Sequence, residues 1–286
     1  MNQLAMRLMG VLGMSLGRSQ GTRWERALVT GASAGIGREM AAQLAAAGVD
    51  LVLVARNGDR LDELAAELRA GRAGLGVEVL AADLSDPSGL MAVERRVAAD
   101  EAPIDLLVNN AGLGYEGPFH TQAPAQISET IDVNVQALVR LTHVALKTMT
   151  SRDRGQVVLV SSMASLQGLP MTAVYAATKA FITSLGEALH EEHKGTGVAV
   201  TTVMPGLTRT EFHERGRWNL DNWPSVGWQS ADAVAAEALR AAARSRPEVV
   251  TGRHNKLLAI FSSKAPRGVR RSIIGRVARR GQNLDR

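Results

Sequence analysis

Apolar residues along this chain fall into short unbroken runs, separated by longer stretches in which they recur every three or four positions. The runs are Arg26–Thr30 (RALVT), Asp50–Ala55 (DLVLVA), Val77–Ala82, Ile104–Asn109 (IDLLVN), Gln156–Ser161 (QVVLVS) and Val198–Met204, and Val249-Val250 is a candidate start for one more. Helical periodicity marks Arg38–Ala47, Leu61–Ala70, Ser88–Asp100, Ala125–Thr150, Val174–Glu192 and Ala231–Arg244. Strands that read as continuous apolar runs are buried on both faces. Strands separated by helices of ten or more residues pair in parallel. The pattern predicts an α/β fold: a doubly wound parallel sheet with helices on both faces and a ligand site beyond the strands' carboxyl ends. Residues 1–22 are expected to form an amphipathic arm, 23–252 the main domain and 253–286 a basic helical extension.

Composition narrows the chemistry. Of 286 residues, 45% are apolar, 21% charged and only 3% aromatic, which describes a folded chain with an aliphatic core. There is no cysteine, so disulfides, thiolate metal sites and a cysteine nucleophile are excluded. The formal charge of +5 is unevenly spread: Thr251–Arg286 holds ten Lys/Arg against Asp285, so this tail carries +9 and the remainder −4. A nucleic-acid partner for the whole chain loses its footing. No apolar run approaches the roughly 20 residues needed to span a bilayer. Met1–Gly17 lacks the basic start and cleavage site of a secretory signal, so a cytoplasmic location is expected.

Thr30-Gly31-Ala32-Ser33-Ala34-Gly35-Ile36-Gly37 follows the first strand and opens the first helix. Glycines there permit a tight turn and close approach of a pyrophosphate, and the helix N-terminus offers unpaired N–H groups to it. The spacing is G-x-x-x-G-x-G. Asn109-Asn110-Ala111-Gly112 follows the fourth strand, Asn134 lies in the long helix, and Ser162 stands thirteen positions before Tyr175. Tyr175-Ala176-Ala177-Thr178-Lys179 and then Pro205-Gly206 complete the order. Over roughly residues 24–252 this series resembles the short-chain dehydrogenase/reductase family in its compact single-domain, Rossmann-type branch.

The second strand ends Val54-Ala55-Arg56-Asn57. Ala55 occupies the position where NAD-preferring members carry an acid. A carboxylate would repel a ribose 2′-phosphate, whereas the Arg56 guanidinium can bind one, so NADP(H) is the expected cofactor. The resemblance also implies cofactor contacts from Ser33, Ala34 and Ile36 in the turn, from Asp83 and Leu84, from Asn110, Ala111 and Gly112, and from Pro205, Gly206, Thr208 and Thr210.

Tyr175 and Lys179 are four apart on a helix and project from one face. A phenol alone titrates near 10, and a nearby ammonium is expected to lower that value and make an acid/base for a carbonyl–alcohol pair. Ser162 would donate a hydrogen bond to the substrate oxygen. By resemblance, Lys179 also holds the nicotinamide ribose and Asn134 positions a water leading to solvent. Apart from that frame, Tyr175 and Lys179 alone would read as an ordinary surface pair.

Trp218, Trp223 and Trp228, facing Met163, Leu166, Leu169, Pro170 and Met171, suggest an apolar pocket for a hydrophobic ketone, an acyl chain or a steroid-like ring system. The expected reaction is reduction to the alcohol. The oxidative direction and a catalytically silent cofactor sensor remain alternatives. Lys256–Phe261 and Val269–Val277 read as two short helices split by Pro266. The second sets Val269, Ile273, Ile274 and Val277 among Arg270, Arg271, Arg276, Arg279 and Arg280, and Leu4, Leu8, Val11 and Leu12 form a weaker stripe. Such a basic amphipathic segment suits either an anionic membrane surface or docking on protein. The resemblance implies a homodimer or homotetramer built on the long helices.

Overall fold

The computed structural model describes residues 23–218 and 227–264, with 266, 268, 269, 271 and 272 beyond them. The N-terminal stripe, Trp223, and the Arg270, Ile273, Ile274, Arg276, Val277, Arg279 and Arg280 part of the basic segment lie outside the described residues.

The elements alternate as the apolar pattern predicts: β1 (Arg26–Thr30), α1 (Gly35–Ala47), β2 (Asp50–Ala55), α2 (Gly58–Gly71), β3 (Val77–Ala81), α3 (Pro87–Ala98) and β4 (Leu106–Asn109) form the first half. The second half is α4 (Pro124–Ile131), α5 (Leu138–Ser151), β5 (Gly155–Val160), α6 (Ala173–Glu192), β6 (Val198–Met204), β7 (Thr208–Arg209), α7 (Phe212–Arg215), β8 (Gln229–Ser230), α8 (Ala231–Ala243), β9 (Glu248–Val250) and α9 (Arg253–Lys264).

Seven strands make one sheet in the order β3-β2-β1-β4-β5-β6-β9, every pair parallel. The chain winds outward from β1 to β3, returns to β4, and winds the other way. The direction reverses between β1 and β4, and a crevice opens there above their carboxyl ends. Side chains alternate across the sheet. Val29, Leu51 and Leu53 pack with α1, α2 and α8 on one face. Leu28, Val52 and Val54 pack with α3, α5 and α6 on the other. Two buried faces explain why the strands show no polar alternation.

Three departures from the sequence pattern bear on the site. The expected helix Ala125–Thr150 is interrupted by a wide π turn at Asp132–Ala137, which contains Asn134. Neither Gly nor Pro marks the interruption, so periodicity reads through it. The expected helix Lys256–Phe261 is longer, Arg253–Lys264. The short parallel pair β7–β8 was not legible, because two-residue strands carry no period. Among the described residues no helix is long and apolar enough to cross a membrane.

Gly186, midway along α6, lets that helix lie close on the sheet: a Cβ there would collide with Thr202 Oγ1 and come within 3.3 Å of Leu159 Cδ1. In an exposed helix Gly186→Ala would gain about 1 kcal/mol of propensity. Here it is expected to cost about 1–3 kcal/mol, seen as a lower urea midpoint with an unchanged slope. A raised midpoint would show that α6 moves off the sheet without penalty.

Candidate active site

A cleft of about 1130 Å³ opens above the carboxyl ends of β1, β4, β5 and β6. Of the residues singled out from the sequence as site residues, all line it except Gly37 and Asn134. At its floor the chain leaves β1 through Gly31, at φ +66°, and enters α1 through Gly35, at φ +56°. Both are left-handed positions that disfavour a Cβ. A Cβ at Gly31 would stand 3.0 Å from Ala111 Cα, and one at Gly35 3.0 Å from Thr210 Cγ2. Gly37 lies behind, where a Cβ would strike the Gly31 carbonyl and the Asn110 amide, so it is a packing glycine. The N-cap Ala34 has no side-chain acceptor and the first turn of α1 has no acid. The positive end of the helix is thus left to a ligand. Thr30 Oγ1 accepts from the Asn110 and Ala111 N–H groups, each at 3.0 Å, and Asn110 Nδ2 donates to Thr30 O at 2.9 Å. The Asn110 amide therefore ties the two loops together.

At the end of the cleft beside Ala55, Arg56 lies 3.1 Å from Glu129 Oε1 and 4.0 Å from Asp83 Oδ2. The other Glu129 oxygen accepts from Tyr115 Oη at 2.6 Å, a bond that raises the Tyr115 phenol above its usual range. Asp83 Oδ1 accepts from the Ser85 N–H and hydroxyl at 2.9 and 2.7 Å, so one of its oxygens shapes the local turn. Arg60 pairs with Glu211 at 2.8 Å, and Arg215 with the same carboxylate at 2.6 Å. These pairs are solvent-exposed and individually weak, so a doubly charged phosphate can compete for either guanidinium.

Tyr175 stands in the first turn of α6, wedged between Phe212 at 5.4 Å and Trp218 at 5.5 Å between ring centroids. A Cβ on Gly114 would come 2.5 Å from its ring. Lys179, one turn on, is 3% exposed. Its Nζ donates to Val160 O at 2.9 Å and sits 5.7 Å from the Tyr175 ring centroid. Here the expectation needs correction. Lys179 does not lower the Tyr175 phenol in the structure. Burial pushes the phenol up to about 12, opposed only by a hydrogen bond with Ser162. Burial also draws Lys179 down to about 8. Both groups are withdrawn from water, and for each the cost of burying its charged form dominates. Ser162 caps the short turn Met163–Leu166, its oxygen accepting from Ala164 N at 3.1 Å.

Asn134 is wholly buried. Its Nδ2 donates to Leu113 O at 2.8 Å and to Thr178 Oγ1 at 3.0 Å, while its Oδ1 accepts from Leu113 N at 2.9 Å. The side chain is a strut between the loop after β4 and α6. A Cβ on Gly112 would lie 3.3 Å from both Asn134 Oδ1 and Lys179 Nζ.

Met163, Leu166 and Leu169 line the chamber around Tyr175, while Pro170 and Met171 do not. The short helix α7 forms a lid. Trp218 Nε1 donates to Gly114 O at 2.8 Å, and the Glu116 N–H to Gly216 O at 3.2 Å. His213 is buried between Trp218 at 5.3 Å and Trp228 at 5.4 Å, and desolvation lowers its pKa. Thr208 Oγ1 donates to Gly206 O at 3.0 Å and Thr210 Oγ1 accepts from Phe212 N at 3.3 Å, so both threonines brace the lid's stem. Leu258 and Phe261 of α9 close the outer wall.

Sequence reasoning missed Tyr115, Glu129, Arg60, Glu211, Phe212, His213 and the contribution of α9. The ion pairs join residues 73 and 151 positions apart, and no local pattern signals them. Tyr115 alone had a cue, as one of only two tyrosines, three residues after Gly112.

A family model described as short chain dehydrogenase matches residues 25–220. The very-long-chain 3-oxoacyl-CoA reductase of Anas platyrhynchos is 30% identical over 200 residues, 68% of this chain and 63% of that protein. The chain thus spans a little under two thirds of that relative's length. The short-chain dehydrogenase from Sphingobium yanoikuyae in complex with NADPH superposes with a TM-score of 0.77 at 34% identity, covering 87% of this chain and 95% of the other. The bulky-bulky ketone specific alcohol dehydrogenase from Comamonas testosteroni gives 0.72 at 29% identity, covering 86% and 96%. The family match runs from the first strand through the glycine turn, the tyrosine helix and the stem of the lid, and the chain belongs to the short-chain dehydrogenase/reductase family.

Proposed function

We propose that this chain is an NADP(H)-dependent oxidoreductase that reduces a bulky, apolar carbonyl, such as a hydrophobic ketone or 3-oxoacyl group, with Tyr175 as proton donor. The observation that carries the reading is one continuous cleft. It joins an uncapped helix N-terminus at the glycine turn, two guanidiniums beside Ala55, and half-buried Ser162 with buried Tyr175 and Lys179 beneath an aromatic lid. The NADPH-bound relative supports the cofactor. The apolar walls, and relatives named for very-long-chain and bulky-ketone substrates, support the substrate class.

When bound, the nicotinamide supplies a hydride to the carbonyl carbon. The remaining roles fall to the chain. The glycine turn and the α1 N-terminus hold the pyrophosphate. Arg56 takes the 2′-phosphate in exchange for Glu129, with Arg60 close by. Ser162 donates to the carbonyl oxygen and stabilises charge growing there, and Tyr175 passes its proton to that oxygen. A phenol held near 12 rests protonated at neutral pH, which is the state of a proton donor. Lys179, near 8, can exchange a proton close to neutrality. Asn134 holds the loop after β4 against Thr178, and Phe212 and Trp218 exclude water. A homodimer or homotetramer through α5 and α6 belongs to the same reading, supported by Phe181 of α6, which is 42% exposed.

Tyr175→Phe keeps the ring packing and removes the proton. Cofactor binding should survive while turnover falls about 10²–10⁴-fold; near-normal turnover would remove the assigned role. Arg56→Ala should lower the preference for NADPH over NADH roughly 10–100-fold, the worth of a lost charge-assisted hydrogen bond, in steady-state kinetics with both cofactors. An unchanged ratio sinks the phosphate assignment.

Lys179 carries a stability signature. Its pKa is about 8 in the folded chain against the ordinary 10.5, so between those values the folded state binds fewer protons than the unfolded state. Stability contributed by this site therefore rises with pH from about 8 to 10.5, and below 8 the buried charge exacts its full penalty. Lys179→Met should lose activity yet melt higher than wild type at pH 7, by up to about 3 kcal/mol, with the gap closing towards pH 10. A constant gap across that range contradicts the titration.

A further inference from the structure

α9 is built inside out. Its inward face, spaced by four and three residues, consists of Asn255, Ala259 and Ser262. Asn255 is buried and donates to Thr251 O at 2.9 Å, and the Ser262 hydroxyl reaches Gln167 Oε1 at 3.4 Å. The large apolar side chains point the other way. Leu257, Leu258, Ile260 and Phe261 are between 55% and 69% exposed, and Val269 beyond them is 48% exposed. A helix whose only surroundings are its own domain and water buries its apolar face and exposes its polar one. A contiguous exposed apolar patch marks a surface that something else covers.

We infer that α9 is a lipid-docking face, on which Leu257, Leu258, Ile260 and Phe261 rest in an anionic membrane surface and an apolar substrate enters the cleft directly from the lipid. Charge selects this occupant. From Arg253 onward the chain carries ten Lys/Arg and a single acid, Asp285. Arg253, Lys256 and Lys264 belong to α9 itself, and Lys256 is tied to Glu237 at 2.9 Å. Apolar residues flanked by such an excess of cations fit an anionic headgroup layer. A second copy presenting the same face would set cation against cation. Since no described helix is able to span a bilayer, the helix lies on the surface rather than crossing it.

Geometry links the face to the site. Leu258 and Phe261 belong both to the exposed patch and to the wall of the cleft that holds Tyr175. A lipid-phase molecule crossing that edge would meet apolar side chains from the bilayer to the chamber. The docking half of the inference stands on α9 alone. The delivery half rests on the proposed reduction of an apolar carbonyl.

The test uses the full chain and the double variant Leu257→Gln/Ile260→Gln, since neither residue lines the cleft. Wild type should sediment with vesicles of phosphatidylcholine mixed with phosphatidylglycerol, and about tenfold less with phosphatidylcholine alone. The variant should partition roughly thirtyfold more weakly onto the mixed vesicles, for two large side chains no longer inserted. With NADPH and water-soluble cyclohexanone the two proteins should turn over alike. With 2-tridecanone carried in mixed vesicles the variant should lose the wild type's rate advantage. Equal sedimentation of both proteins, or none by either, overturns the docking. Self-association that the double variant abolishes, without vesicle binding, overturns it in favour of a second copy. Vesicle binding as expected but no NADPH consumption with any ketone leaves the docking standing and removes the enzyme reading.

Discussion

Two ionisable side chains, one helical turn apart, are withdrawn from water at the carboxyl end of the sheet, and the architecture around them serves to keep them there. Neither Tyr175 nor Lys179 would be tolerated in that state without its surroundings. A buried ammonium needs an acceptor, and the Val160 carbonyl, at the last residue of β5, supplies one at 2.9 Å. A buried phenol needs a partner, and Ser162, two residues further on, supplies it. Both come from the end of one strand because parallel strands all deliver their carboxyl ends to the same edge. The doubly wound sheet is therefore a means of gathering the termini of β1, β4, β5 and β6 around one helix.

How much of this was written in the sequence depends on the range over which each interaction acts. The strands were legible because burial on both faces removes polar alternation over five or six consecutive residues, as in DLVLVA. The glycine turn, Ser162, Tyr175 and Lys179 could be singled out because they form short motifs of fixed residue types, and the structure brings them to one cleft. The protonation of Tyr175 was not legible. A tyrosine four residues before a lysine reads as a phenol lowered by a cation, and the opposite result comes from Phe212, Trp218 and the Gly114 backbone, which exclude water from regions of chain distant in sequence. The π turn at Asn134 was hidden for a related reason: it is held by hydrogen bonds to Leu113 and Thr178, not by any residue that breaks a helix.

The two ends of the cleft differ in the kind of energy they offer a ligand. Near Arg56 and Arg60 the partners are carboxylates, Glu129 half-buried and Glu211 exposed, so an anion there would exchange one ion pair for another. Near Tyr175 the partners are rings and backbone, and the gain comes from excluding water. Tyr115 joins the two regimes. It lines the cleft and donates to Glu129, the carboxylate that holds Arg56. Glu129 thus links Arg56, at the Ala55 end of the cleft, to the loop that also carries Gly114.

That loop shows why the chamber depends on what is missing from the chain as much as on what is present. Gly112 allows Lys179 Nζ and Asn134 Oδ1 to approach the backbone, Gly114 allows the Tyr175 ring to do so, and Gly216 allows Trp218 to reach the Gly114 carbonyl. Each is a close approach of a cleft side chain to bare main chain, tighter at Gly114 and Gly216 than at Gly112. A methyl group at Gly114 would strike the Tyr175 ring and one at Gly216 the Gly114 carbonyl and the Trp218 indole, whereas one at Gly112 would crowd Asn134 and Lys179 more mildly. Gly112, Gly114 and Gly216 are constrained by side chains of the cleft, whereas Gly37 is constrained by the adjoining turn and Gly186 by packing of α6 on the sheet.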